Sequence, residues 1–159
     1  MDPSKATAIS RDPTTPLATL EALAKSDLPF LRENVARHPN VTPELLVDLV
    51  PSALESDGDL SVAMAIASNP RTPIAALLGI LRLLRSERLD GSRRENWRWE
   101  NLAVTVLSHR NVPEDVTVSA INSLALARSL RVRLAERRPS DGTEQIVEPE
   151  RRKRLSHQA

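Results

Sequence analysis

The sequence predicts an all-α fold, a solenoid of about four to five helix-turn-helix repeats. Three observations lead there. Nearly the same turn recurs along the chain at a spacing of roughly 30 residues, the period of stacked helical repeats. Prolines punctuate aliphatic stretches that are apolar at helical spacing. Aromatic residues make up only 2% of the 159 residues, as Phe30, Trp97 and Trp99. The core must then be built from Leu, Val, Ile and Ala, which let neighbouring helices approach closely.

The turns read Asp12-Pro13-Thr14-Thr15-Pro16, His38-Pro39-Asn40-Val41-Thr42-Pro43, Asn69-Pro70-Arg71-Thr72-Pro73 and His109-Arg110-Asn111-Val112-Pro113. A partial fifth copy is Leu134-Ala135-Glu136-Arg137-Arg138-Pro139. Before each turn lies a first helix. In the second copy its face is Phe30, Leu31, Val35 and Ala36; in the third it is Leu60, Met64 and Ala67, widened by Val62, Ala63 and Ile66. These helices cannot run through Pro39 or Pro70, because proline lacks the amide donor and clashes with the preceding turn.

After each turn a second helix begins. Thr15-Pro16, Thr42-Pro43 and Thr72-Pro73 predict threonine at the N-cap and proline at the first helical position. The apolar pattern continues as Leu17, Leu20, Leu23; Leu45, Leu46, Leu49, Val50; and Ile74, Leu77, Leu78, Leu81. Neither helix of a unit buries its stripe alone, so successive units must stack. In the fourth copy Arg110 replaces the first proline and Val112 the capping threonine, which predicts the same geometry with a weaker cap.

Two stretches break the period. Residues 51–59 hold Glu55, Asp57 and Asp59 among turn formers and predict an acidic loop. Residues 82–99 form an insert holding both tryptophans and six arginines. Arg82, Arg85 and Arg88 share one polar stripe of a helix that Asp90-Gly91-Ser92 ends. Trp97 and Trp99 stand two residues apart, and such residues do not share a helical face; only one of the two is expected to be buried. Beyond Pro139 the apolar pattern is lost. The chain thus divides into a helical repeat domain over residues 1–139 and a charged tail over 140–159, expected to be disordered.

The Asn/His/Asp-Pro-x-Thr-Pro turns followed by leucine-rich segments resemble the leucine-rich repeat variant family, over roughly residues 6–139. The resemblance implies a right-handed superhelix of alternating α- and 3₁₀-helices, similar in outline to HEAT and armadillo solenoids. Two α-helices per unit, as in HEAT repeats, fit the unit lengths equally well. Family members can carry an iron–sulfur module held by cysteines. This chain has no cysteine, so that cofactor is not expected, and neither disulfides nor thiolate chemistry are available.

No cofactor, metal or catalytic residue is predicted. His38 and His109 occupy the turn slot shared with Asp12 and Asn69, two units apart, and read as structural. His-Glu-x-x-His, phosphate-cradling glycine loops and Gly-x-Ser-x-Gly do not occur. The one enzymatic reading the architecture allows, a HEAT-type DNA-modifying activity, finds no motif. No apolar run is long enough for a membrane span and no signal core follows the N-terminus, so a cytoplasmic protein is expected.

The expected function is therefore a binding or scaffold module for a protein or peptide partner. Its anchors would be Arg93, Arg94, Trp97, Arg98 and Trp99, since tryptophan and arginine dominate binding hot spots. The alternative is nucleic-acid binding through the arginine-rich C-terminal half. Residues 80–159 hold 16 Lys/Arg against 11 Asp/Glu, whereas residues 1–79 hold 6 against 10. Phosphate contacts would come from Arg82, Arg85, Arg131, Arg133, Arg137 and Arg138. A third expectation is self-association, with the acidic half of one copy meeting the basic half of another, or through the thin first unit, where only Ala6, Ala8 and Ile9 are apolar.

Overall fold

The computed structural model describes residues 2–89 and 97–123. Among them are eight helices and no strand. In chain order they are α1 (Pro3–Arg11), α2 (Leu17–Ala24), α3 (Pro29–Arg37), α4 (Pro43–Asp48), α5 (Asp57–Ser68), α6 (Ile74–Leu89), α7 (Trp97–Leu107) and α8 (Glu114–Ser123). The partial fifth copy and the tail lie outside the described residues.

The first helices of the four units stack in series, α1 on α3, α3 on α5 and α5 on α7. The second helices form the other layer, with α2 against α1 and α3, and α6 against α4, α5 and α7. Every second helix is α-helical, so the 3₁₀ geometry implied by the family resemblance is not found here. The units are long enough for a full helix after each turn, although α4 manages only six residues.

One aliphatic core runs through both layers. Its largest fully buried side chains include Leu20, Leu46, Leu54, Ile66, Leu77, Leu84, Leu102 and Leu107. The middle first helix, α5, is buried nearly all round through Leu60, Val62, Ala63, Ala65, Ile66 and Ala67, because it has first helices on two sides and α6 on a third. Several stripe positions depart from expectation. Phe30, Leu17 and Leu78 are exposed, and Met64 is half-buried.

Residues 51–59 are not a loop throughout. Pro51 and Leu54 are buried, and α5 already begins at Asp57. Ser56 caps it: the Ser56 hydroxyl accepts from the Asp59 amide (3.1 Å), and the Asp59 carboxylate accepts from the Ser56 amide (3.0 Å). The acidic residues serve the helix start, where Asp57 and Asp59 complement the dipole.

Gly58 shows how closely α3 and α5 meet. A Cβ there would stand 2.6 Å from Pro29 Cβ and 2.7 Å from Pro29 Cγ. The proline ring is stiff, so Gly58→Ala should destabilise the fold by about 1–3 kcal/mol despite alanine's better helix propensity. A urea midpoint equal to or above that of the wild type would contradict this packing.

The threonines do two different jobs. Thr42 is an N-cap, its hydroxyl accepting from the Leu45 amide (3.3 Å). Thr15 and Thr72 are not. Their helices start one residue later, with the Pro16 and Pro73 carbonyls accepting the first helical bonds. Their buried hydroxyls donate backwards to the Ile9 and Ile66 carbonyls, at 2.6 and 2.5 Å. The equivalent carbonyl before Thr42, that of Ala36, is taken by Asn69 Nδ2 of the next unit (2.8 Å). In the fourth unit Val112 is buried in threonine's place, and Thr117 donates to the Pro113 carbonyl (3.1 Å).

The recurring turn slot joins the units. Asp12, His38, Asn69 and His109 each accept, through the side chain, the amide two residues on: Thr14 (2.9 Å), Asn40 (3.1 Å), Arg71 (2.9 Å) and Asn111 (3.1 Å). The thread bonding Asp12 to the Thr14 hydroxyl and amide also holds its carboxyl below the usual carboxylate range. From the second unit on, the slot side chain donates to a carbonyl of the preceding unit. His38 Nε2 bonds the Asp12 carbonyl (2.7 Å) and His109 Nε2 bonds the Asn69 carbonyl (3.0 Å). Because Nδ1 accepts an amide hydrogen, the ring proton in each resides on Nε2. Neighbouring side chains extend the ladder, Asn40 to Pro13 (2.9 Å), Arg71 to Pro39 (2.7 Å), Arg110 to Pro70 (2.8 Å) and Asn111 to Thr72 (2.8 Å).

Candidate functional site

Both nitrogens of His38 and His109 are thus engaged, Nδ1 within its own turn and Nε2 with the preceding unit. Among the described residues no three His, Asp or Glu side chains gather as a metal site would require. No described helix is long and apolar enough to cross a membrane.

The two tryptophans part company, as their spacing predicts. Trp99 is 8% exposed and belongs to the core, on the α7 face that also carries Leu102, Ala103 and Val106. Trp97 opens α7 and is 69% exposed. Trp99 is therefore part of the packing and not of any surface. Arg93 and Arg94 lie outside the described residues, as do Arg131, Arg133, Arg137 and Arg138. Arg82 and Arg85 are exposed on α6, in the second-helix layer, whereas Trp97 and Arg98 belong to the first-helix layer.

What gathers around Trp97 is a shallow groove of about 220 Å³ on the first-helix layer. It is lined by Arg37 of α3, Leu60, Ser61 and Met64 of α5, and Trp97 and Arg98 of α7. Three consecutive units therefore contribute to one surface feature. Arg98 bridges two of them: Nη1 meets the Asp57 carboxylate at 2.9 Å, and Nη2 donates to the Ser61 hydroxyl at 3.0 Å. Arg37 Nη2 meets Glu33 at 2.8 Å, one turn back on α3. Sequence reasoning finds Trp97 and Arg98 but misses Arg37, Ser61 and Met64. Met64 reads as core because its stripe is apolar, and nothing local says that the stripe's edge opens onto a groove.

Residues 4–50, the first two units, match the family model for the Leucine Rich Repeat Variant domain. The two N-terminal units are therefore similar to the leucine-rich repeat variant family. No curated protein matches the chain, and no solved structure does. In this variant-repeat architecture the residues of the motif itself, Asp12-Pro13 through Thr42-Pro43, are spent on turns, caps and the ladder between units. The groove lies outside the matched segment except for Arg37.

Proposed function

We propose that this protein is a non-catalytic repeat scaffold that binds a protein or peptide partner through the groove between α3, α5 and α7. The observation that carries the reading is Trp97. In a chain with three aromatic residues, one indole is held 69% exposed at the lip of a groove, beside two guanidinium groups and a half-buried methionine. Tryptophan and arginine are the side chains most enriched among binding hot spots, and methionine adapts to varied partners. Stacked repeats supply the rigid, extended support that such a surface needs.

The test is affinity capture with the full chain and with Trp97→Ala. Truncating a hot-spot side chain costs about 2 kcal/mol or more, so a bound partner should be retained at least roughly thirtyfold less well by the variant. Far-ultraviolet circular dichroism should be unchanged, because Trp97 contributes little burial. Equal retention by both proteins would reject the groove as the site. Nucleic-acid binding fits less well: Arg82 and Arg85 stand in the other layer from Arg98, so the described arginines do not line one phosphate track. A gel shift that weakens steeply with salt would restore it.

A further inference from the structure

The groove also carries information about what it receives, and this inference rests on the proposed binding function. Its floor is apolar, formed by Leu60 and Met64 with the Trp97 indole to one side. Its volume of about 220 Å³ suits a single apolar side chain, given that a cavity of about 150 Å³ accommodates benzene. Its two charged lining residues, Arg37 and Arg98, are both cationic, and among the described lining residues none is acidic. The carboxylates that meet these arginines, Glu33 and Asp57, stand outside the lining.

Those two ion pairs are of the exchangeable kind. Each pair has one well-exposed member, Arg37 at 59% beside Glu33 at 24%, and Asp57 at 79% beside Arg98 at 33%. Water reaches one side of each pair, so each contributes about 1 kcal/mol and can be given up for a better-shielded carboxylate. A carboxylate brought in by a partner would meet the same guanidinium while the partner excludes water, which strengthens the new pair relative to the old one. Ser61 holds Arg98 in position during such an exchange through its 3.0 Å bond.

We infer that the groove receives an acidic peptide segment bearing one aliphatic anchor, and that Glu33 and Asp57 act as internal stand-ins for its carboxylates in the free protein. The aliphatic side chain fills the space over Leu60 and Met64 against Trp97, and flanking acidic residues take Arg37 and Arg98. Glu33 is then a competitor of the ligand. Removing its charge should improve binding, the opposite of what removing a contact does.

The probes are three short synthetic peptides with a single central leucine, flanked by glutamate, glutamine or lysine. Each is titrated into the full chain while the emission of Trp97 is followed, with Trp97→Phe identifying the Trp99 background. The glutamate peptide should bind and should weaken as salt is added. Arg37→Gln should weaken it by roughly three- to fivefold, and Glu33→Gln should tighten it by a similar factor. Both substitutions are on the surface of α3, and circular dichroism checks that they fold. Three results overturn the inference: no binding of the glutamate peptide at millimolar concentration, equal binding of the glutamine or lysine peptide, or no gain from Glu33→Gln. Tighter binding of a single-stranded oligonucleotide at the same groove also overturns it. If capture of a partner still depends on Trp97 while the glutamate peptide fails, the scaffold reading stands and only this chemistry is wrong.

Discussion

Trp99→Ala should lower stability by about 3–5 kcal/mol, the cost of emptying a buried aromatic site. The indole is 8% exposed and lies on the face of α7 that meets the continuous aliphatic core. It also sits in the first turn of that helix, so its loss loosens the start of the fourth unit. Native domains are stable by only about 5–15 kcal/mol, so the variant should show a much lower urea midpoint and reduced helicity at ambient temperature. Trp97→Ala, two residues earlier, should stay within about 0.5 kcal/mol of the wild type, as exposed substitutions do. Urea unfolding followed by circular dichroism reads both. Similar midpoints for the two variants would mean that the burial assigned to them is wrong.

His38→Ala should cost about 2–4 kcal/mol. The ring is 3% exposed, and its removal strands two backbone groups at once, the Asn40 amide and a bond to the Asp12 carbonyl. Thr15 also donates to that carbonyl, at 2.9 Å, which limits the loss on the acceptor side. His38→Asn should recover about half of the loss. Asn69 does the same work one unit later, accepting from the Arg71 amide and donating to the Ala36 carbonyl. An asparagine at position 38 would meet the Asn40 amide in the same way and reach for the corresponding Ser10 carbonyl. Nitrogen chemical shifts of the wild-type ring should report a proton on Nε2. If the asparagine variant is no more stable than the alanine variant, the slot matters for its volume and not for its hydrogen bonds.

The architecture is legible in the sequence because its punctuation is chemical. Proline forbids helix at Pro39 and Pro70, and the helices stop where it says. The separation of Trp97 from Trp99 follows from helical geometry alone. Capping is harder to read, because one residue of offset changes a threonine's partner. Thr42 caps, whereas Thr15 and Thr72 turn back to Ile9 and Ile66; the carbonyl equivalent to theirs, that of Ala36, is bonded by Asn69 of another unit. Leu54 and the start of α5 are missed because acidic and turn-forming neighbours mask a capping box. The groove is the least legible part. Arg37, Ser61 and Trp97 come from three units, and only stacking makes them neighbours.

The ladder of turns has a direction. In each of its turn-to-turn bonds, the later unit supplies the side-chain donor and the earlier unit the main-chain acceptor. Carbonyl oxygens are common to all residues, so the receiving side of a joint asks for nothing particular in its sequence. At the turns, a unit that carries its own donors can therefore follow units of different turn sequence. Gene segments encoding whole units could be duplicated, lost or exchanged during evolution with each new junction already matched, leaving side chains elsewhere, such as those around Trp97, at liberty to diverge.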